Sequence, residues 1–571
     1  MKNMIRIKTN FLVIGGGFAG LWAAKRAWEC GVKDILIVDK GPRDWGGLGS
    51  MCGGDISVVH PNANLEDWIN DLVYYYDGLC DIPSLRSILK ITFERLLDYE
   101  KMGHIFNKTS EGNYEQIPQR GLAHVTTTMS APKGGFNMRC ELIQSLENTS
   151  VRRIGNIMIT DLVKQNDQIC GAVGFHCRSG APICIEAQAV LLSSGSGGWK
   201  TSYSHNSLAS GVFEMALNAG IELRNMEFIQ VWNTPKRFSW EGQTFLLPFG
   251  ACFRNGNGED FMGRYSSKYG AKGDPHYNVR GIALEVLAGR GPIYFDTSGI
   301  SPEHVERLRP KEGWMKLNDE RLISIGIDFF GSKTEWTAQP LISYGGIPCD
   351  QSGMTNIDGV FAAGLSRSIG GGVYVGGLNM ACCASSGYIA GQGAAAYLSG
   401  KSSKSFSEHE AQRLLASRMG KLGKEGIHPK DVIRRLQEII APINVCILKT
   451  ENGLYNALSQ LEELKKDILP MMSAQDPHYL LKMTEAKGMI IMTECFLKAS
   501  LARTESRCGH FRADYPKRDT TCPTYYMIVS KDDKGISLYR RDIPEFPTNK
   551  EHKYYMDNFN FPDVNPDIYM I

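Results

Sequence analysis

A strand, a glycine turn and a helix stand at the head of this chain. Phe11-Leu-Val-Ile-Gly15-Gly-Gly17-Phe18-Ala19-Gly20 passes from an apolar run into an alanine-rich segment, Leu21 to Cys30. The next apolar run, Ile35-Leu-Ile-Val-Asp39, ends in a carboxylate about twenty residues beyond the turn, where a ribose-binding acid is expected. Three glycines at that spacing say little alone. Between a strand and a helix they specify a βαβ unit that holds an adenine dinucleotide. Gly15 permits the tight turn, Gly17 lets backbone approach a pyrophosphate, and Gly20 lets helix and strand pack closely. Phe18 and Ala19 open the helix whose N-terminus faces the phosphates, and Lys40 follows Asp39 at the end of the second strand.

At 571 residues the chain exceeds one ordinary core, so two to four domains are expected. A formal charge of +2 offers no electrostatic argument for nucleic acid or an anionic membrane surface. No apolar segment approaches the roughly 20 residues of a membrane span, and Lys2, Arg6 and Lys8 precede the phosphate-loop strand instead of a signal-peptide core. The chain therefore reads as cytoplasmic. Its 15 cysteines are odd in number and scattered, with no C-x-x-C pair. Buried thiols fit this pattern better than disulfides, and an iron-sulfur cluster within the chain lacks its ligand spacing.

Further motifs divide the chain. A glycine-rich loop, Trp45 to Asp55, follows the first βαβ unit, and Leu65 to Met102 carries helical periodicity. An apolar run, Ala187 to Leu192, enters the turn Ser193-Ser194-Gly195, as backbone passing close to a cofactor requires. From Trp232 to Gly346 the composition shifts to aromatic and polar loops. Gly359-Val-Phe-Ala-Ala-Gly364 then resumes the strand pattern and leads through Gly370 to Gly377 into a small-residue helix, Asn379 to Leu398. A Lys/Ser linker at 401–407 precedes four segments of helical periodicity, and the aromatic, proline-rich stretch from Pro544 reads as a surface strap or partner contact.

In order and content these elements resemble the fumarate reductase/succinate dehydrogenase flavoprotein superfamily. The likeness extends to Asn225-Met-Glu227-Phe-Ile-Gln230, Asn255 to Met262, Tyr344-Gly-Gly-Ile347 and Arg503 to Pro516. It implies an α/β architecture: a Rossmann-like FAD-binding domain in two parts (1–231 and 347–400), an inserted α+β capping domain (232–346), a C-terminal helical domain (401–520) and an extension (521–571). It also implies FAD as cofactor. By this resemblance Gly15, Gly17 and Gly20 hold the pyrophosphate, Asp39 holds the ribose, and Ser50, Gly53 and Gly54 line the isoalloxazine. Ser194, Gly195 and Gly364 touch FAD as well, and backbone at Leu378 and Asn379 faces the flavin pyrimidine, where a helix N-terminus stabilises developing negative charge. Members with covalent flavin carry a His in the segment that is here Trp45 to Ser50; its absence implies non-covalent FAD. A helical third domain implies a separate ferredoxin-like iron-sulfur subunit.

The departures bear on substrate. The family's His-Pro-Thr is here Trp232-Asn-Thr234, its His before the Gly-Gly-Ile turn is Leu341, and its His-Gly-Ala-Asn-Arg segment is Gly371-Gly-Val-Tyr374-Val-Gly. The proton-transferring Arg has no clear counterpart near Asp274-Pro-His276-Tyr277. A dicarboxylate here would forgo charge-assisted hydrogen bonds of about 1.5 to 3 kcal/mol each, which argues against fumarate and succinate. Some segments, including Phe511-Arg-Ala-Asp-Tyr515, are similar to the flavoprotein subunit of adenylylsulfate reductase, but the Arg expected to hold sulfite falls at Trp232. The reading is an FAD-dependent oxidoreductase acting on an unsaturated or aromatic substrate, most plainly at a C–C bond. Alternatives are a sulfur oxidoreductase and an electron-transfer subunit without its own substrate. Trp232, Phe238, Trp240 and Tyr374 are the expected pocket walls. Tyr374, Arg280, His205 and Trp232 are the catalytic candidates, with His124, His276 and Tyr277 as further proton carriers.

Overall fold

The computed structural model describes residues 4–569 apart from 132–133, 203–206, 210, 239, 241–242, 312, 370–371, 401–403, 522 and 544–553. Its main sheet is built around β1 (Ile5–Ile14), which pairs in parallel with β2 (Ile35–Val38) on one edge and with Pro182–Leu192 on the other. The crossover between β1 and β2 is the helix α1 (Phe18–Glu29). Phe11 to Ile14 and all of β2 are buried, as strands covered on both faces must be. Arg152–Ile154 extends the sheet beyond β2, while Gln168–His176 and Ile157–Gln165 add antiparallel strands beyond Pro182–Leu192. Val360–Ala362, more than 150 residues later, also pairs in parallel with Pro182–Leu192, so the late strand rejoins the first domain.

Small residues decide how the helices cover this sheet. The helix Leu378–Ser399 crosses α1 so closely that a Cβ on Gly387 would lie 2.4 Å from the Ala19 carbonyl oxygen. One on Gly391 would lie 2.3 Å from that of Ala23. The run of Gly, Ala and Ser in this helix is thus a packing requirement.

The insertion folds around a four-stranded antiparallel sheet in the order Ile229–Pro235, Lys333–Ser343, Ile293–Asp296, Cys252–Arg254. Its first strand follows directly on Met226-Glu-Phe228 and runs through residues 231 and 232. Two of the aromatics expected at the pocket prove to be core of this layer. Trp240, 2% exposed, stacks on Phe329 at 4.1 Å, and Phe238 meets the same ring edge-on at 6.3 Å. Apolar rings next to a sheet bury more area in each other than against a wet cleft, and Phe295, Phe330 and Trp336 complete that cluster.

Beyond residue 404 come Glu408–Met419, Pro429–Ile440, Glu451–Glu463 and Pro477–Ala502. Buried ion pairs join them to the main domain: Arg418 meets Asp161 and Glu214, each at 2.7 Å. Arg512 donates to the carbonyls of Ser500 and Leu501 and pairs with Asp514, so it closes the end of the last helix. Arg507 reaches the Asp77 carbonyl from the same segment. The hairpin Tyr525–Asp532 and Gly535–Asp542 adds to the edge strand Leu223–Arg224. After it, Tyr555, Phe559 and Phe561 lie across the helix Pro275–Leu287, with Phe559 stacked on Tyr277 at 4.0 Å. Among the described residues no helix is long and apolar enough to cross a membrane.

Candidate functional site

The glycine turn is as tight as its sequence demands. Gly15 has φ 111°, and a Cβ there would sit 2.5 Å from the Ser193 carbonyl oxygen. One on Gly20 would sit 2.0 Å from the Gly15 carbonyl oxygen. The first and third glycines are therefore obligatory. Ser193 closes the same junction by donating to the carbonyls of Ile14 and Gly15, with Ser194 exposed beside it and Gly195, φ 84°, turning the chain. Asp39 accepts the Gly16 and Gly41 N–H groups, each at 2.7 Å, and so fixes the turn against the end of β2. Gly364 places its N–H on Ser386 Oγ at 2.9 Å, and a Cβ on it would lie 2.8 Å from that of Ala19.

Gly53-Gly54 packs on a second glycine pair that no sequence motif marked. Gly54, φ 85°, leaves only 2.4 Å between an added Cβ and the carbonyl carbon of Gly134, where the helix Gly134–Gln144 begins. Ser50 lies in the short turn Leu48–Met51 with its buried Oγ lacking any hydrogen-bond partner.

Two helices begin beside these loops, and neither has a side-chain cap. α1 starts at Gly17, and Leu378–Ser399 starts at Gly377 with φ 72°. Asn64, Asp81, Asp274, Ser301, Ser407, Thr450 and Asp476 cap helices elsewhere. A helix start leaves backbone N–H groups without acceptors. Uncapped starts, an unpartnered Ser50 hydroxyl and glycines admitting close approach fit a ligand with a pyrophosphate and an electron-accepting ring.

Lys40 is drawn away from such a ligand. Its ammonium pairs with Glu485 at 2.9 Å and donates to the Ser207 carbonyl. Lys200 and Lys482 reach the same carboxylate, each at 3.1 Å. Glu485 is 2% exposed, and the three ammonium groups hold its carboxyl well below the ordinary range despite burial. Burial pushes the Lys200 ammonium down to about 8.

Just ahead of Leu378–Ser399, Trp232 and Tyr374 meet edge to face at 5.0 Å. Behind them Asp274, fully buried, starts Pro275–Leu287 by accepting the His276 N–H at 2.7 Å, and its other oxygen accepts the Tyr75 hydroxyl at 2.9 Å. Burial pushes the Asp274 carboxyl up to about 7 and holds the His276 imidazole down at about 3. His276 Nε2 and the buried Tyr344 hydroxyl have no hydrogen-bond partner, and their rings stand 6.2 Å apart. Arg280 is caged: one end donates to the Cys508 carbonyl, Nη1 is unpartnered, and the guanidinium lies 4.8 Å from the Tyr277 ring centre and 4.9 Å from that of Phe511.

The structure therefore joins Trp232 to Tyr374 and puts Arg280 in an aromatic box one turn beyond His276. His124 is exposed and pairs with Asp71 on the surface, and His205 lies outside the described residues. Asp274, Tyr75 and Tyr344, which the structure groups around His276, are not among the site candidates that the sequence singles out. Asp274-Pro275 carries a helix-start signal that marks the position; Tyr75 stands in a helical segment without a motif.

Fold and site together define an FAD-dependent oxidoreductase. The family described as FAD binding domain matches residues 10–380, and that described as fumarate reductase flavoprotein C-term matches residues 433–551. The chain belongs to the fumarate reductase/succinate dehydrogenase flavoprotein family. One of the subunits of the fumarate reductase (CoM/CoB) of Methanothermobacter marburgensis is 27% identical, over 94% of this chain and 98% of the relative. The fumarate reductase flavoprotein of Mycobacterium tuberculosis is 25% identical, over 92% and 95%. Among solved structures, FrdA of E. coli quinol fumarate reductase superposes with a TM-score of 0.86 at 21% identity, covering 97% of this chain and 100% of that one. Adenylylsulfate reductase from Archaeoglobus fulgidus does so at 0.80 and 19%, covering 95% and 97%. At these identities the two structures speak for the fold.

Proposed function

We propose that this chain is the flavoprotein component of a dehydrogenase or reductase that exchanges a hydride between flavin N5 and a carbon of an unsaturated or aromatic-type organic substrate. Its electron partner is a separate ferredoxin-like iron-sulfur subunit, in keeping with relatives that are themselves named as subunits. Bound non-covalently, FAD would supply a two-electron carrier that can take or give a hydride. Gly15, Gly17, Phe18, Ala19 and Gly20 would cradle its pyrophosphate at the start of α1, with Asp39 at the ribose. Ser50, Gly53, Gly54, Ser194, Gly195 and Gly364 would line its length. The N–H groups opening Leu378–Ser399 at Leu378 and Asn379 would face the ring that gains negative charge on reduction.

The observation that carries the reading is the aromatic pair Trp232–Tyr374, set just before that helix start and backed by Asp274. An aromatic corner of this kind suits an unsaturated substrate beside a flavin, and a buried carboxyl near neutrality suits proton exchange. Anaerobic stopped-flow tests it: the dithionite-reduced holoprotein is mixed with crotonate, cinnamate and other enoates, and the oxidised form with their saturated counterparts. Flavin reoxidation or reduction by at least one is expected. Silence toward all of them, with sulfite formed from adenylylsulfate, would transfer the chain to sulfur chemistry.

A further inference from the structure

Away from the Trp232–Tyr374 corner, Glu141, His104 and Ser130 make a continuous hydrogen-bonded line. Backbone pairing sets it up: the Ala131 N–H donates to the Ile105 carbonyl at 3.1 Å, and the Asn107 N–H to that of Met129 at 2.9 Å. His104 is thereby level with Ser130, and the helix Gly134–Gln144 supplies Glu141. His104 Nδ1 stands 2.9 Å from Glu141 Oε2, and its Nε2 stands 2.9 Å from Ser130 Oγ. Asp55, directly after Gly53-Gly54, fixes the far end by accepting the Ser130 N–H at 2.9 Å. A Cβ on Gly134 would lie 2.1 Å from Ser130 Oγ and 2.2 Å from the Gly53 carbonyl oxygen, so hydroxyl, turn and helix start meet at one point.

The line is complete in two orders. With Glu141 ionised, His104 Nδ1–H donates to it and the Ser130 hydroxyl donates to Nε2. With Glu141 protonated, its O–H donates to Nδ1, Nε2–H donates to Ser130 Oγ, and the Ser130 hydroxyl turns to the Ala131 carbonyl, 3.3 Å away. A neutral imidazole that can exchange these two states carries a proton from one neighbour to the other. Burial keeps the ring neutral: His104 is 5% exposed, lies between Tyr99 and Phe106, and is held down at about 4. The Glu141 side chain, 18% exposed, touches solvent, and burial raises its carboxyl to about 7. Two further carboxylates act on the line. Glu100, on the helix Thr92–Lys101, opposes the lowering at His104, and Glu115 adds to the raising of Asp55 by burial.

We propose that Glu141, His104 and Ser130 are a proton relay from solvent to the Gly53-Gly54 turn, serving the flavin that this turn is proposed to line. The proposal rests on the flavin reading and adds to it a proton path apart from Asp274. Electrons passed singly from an iron-sulfur subunit bring no proton, whereas a flavin reduced by two of them holds one at N5. The relay supplies it: a proton leaves Ser130 Oγ, Oγ regains one from Nε2, Nδ1 takes one from Glu141, and Glu141 is recharged by water. The same residue types in the same order activate a nucleophile in hydrolases. Here Ser130, 8% exposed and pressed on Gly134, is placed to pass a proton rather than to take on an acyl group.

The FAD-loaded protein carries the test. With nitrogen-15-labelled histidine, the His104 signals, assigned by their loss in His104→Gln, should report a neutral ring from about pH 6 to about pH 8. Its N–H should move from Nδ1 to Nε2 as pH falls through about 7. Bleaching of the flavin by excess dithionite should slow as pH rises through the same range. Glu141→Gln should slow it by about tenfold or more and flatten the profile at unchanged FAD content, and Glu141→Asp should recover part of the rate. The proposal is overturned if the ring carries both N–H groups at neutral pH, if its tautomer stays fixed, if Glu141→Gln bleaches like the parent, or if a fluorophosphonate probe labels Ser130. Silence toward every enoate, beside an intact tautomer shift and pH profile, would leave the relay and remove the substrate reading. Hydride transfer to an enoate beside a flat profile would remove the relay alone.

Discussion

The two ends of this site are built on opposite principles. At the proposed cofactor end, backbone meets backbone: Gly15 lies against Ser193, Gly20 against Gly15, and Gly54 against Gly134, with distances that exclude even a methyl group. At the substrate end, side chains from distant segments converge, and several carry unpartnered polar atoms, as in His276, Tyr344 and Arg280. A cofactor common to a whole family can be held by backbone, which tolerates little change. A substrate particular to one member must be met by side chains, which can be exchanged while the frame stays.

The sharpest way to break this contrast is at Gly20. Gly20→Val puts branched carbon where a single Cβ already lies 2.0 Å from the Gly15 carbonyl oxygen, which is backbone and cannot yield. Overpacking of this kind costs about 3 kcal/mol or more. The expected outcome is protein without bound FAD, read from the ratio of flavin to protein absorbance. Full FAD occupancy would show that the backbone contact is dispensable.

Next in size is Glu485→Gln. Both cofactor-side segments, through Lys40 and Lys200, are tethered to this one carboxylate of the helical domain. Removing it takes from Lys200, 7% exposed, the buried carboxylate it pairs with, at a cost of about 3 kcal/mol. Differential scanning calorimetry should show a lower Tm, and fluorescence should show earlier FAD release on dilution. An unchanged Tm would mean that solvent replaces the carboxylate.

How far each end could be read from sequence follows the same division. Backbone-to-backbone contacts demand glycine at Gly15 and Gly20, and both stood out by type and spacing. The apolar runs around them, such as Phe11-Leu-Val-Ile14, gave the parallel strands their places. Glu485 did not stand out, because a Glu on a helix is ordinarily solvated and only the fold shows three lysines around it. Trp232 and Trp240 are the same residue type eight positions apart. One meets Tyr374 and the other is core of the cap, a difference set by strand register and by Phe329, which enters from a distant turn.

A third experiment concerns pH. The Asp274 carboxyl is raised to about 7 by burial, against about 3.9 in an unfolded chain. Between those values the native protein holds a proton that the unfolded chain has released. This group's contribution therefore falls as pH rises from about 4 to about 7 and is flat above. Asp274→Asn preserves the helix cap and removes the titration, since Asn can accept the same N–H. The variant should gain on the parent by about 3 to 4 kcal/mol between pH 4 and pH 8, on top of a pH-independent offset from the weakened Tyr75 hydrogen bond. Denaturant melts at the two pH values measure it; a gap that narrows toward pH 8 would mean the buried carboxyl is ionised and well paired.

The smallest effect on stability, and the most specific, is expected at Trp232. It is only partly buried and meets Tyr374 edge to face, so Trp232→Phe removes little apolar burial and should cost under about 1 kcal/mol. The equivalent exchange at Trp240, stacked on Phe329 in the cap core, leaves a void among close-packed rings and should cost about twice that. Ligand binding should invert this order. If Trp232 and Tyr374 form the wall against which an unsaturated acid lies, Trp232→Phe should weaken cinnamate, which has a ring to stack, more than crotonate, which has none. Trp240→Phe should leave the two acids' ratio unchanged. Equal losses for both acids at Trp232 would place that ring outside the bound skeleton.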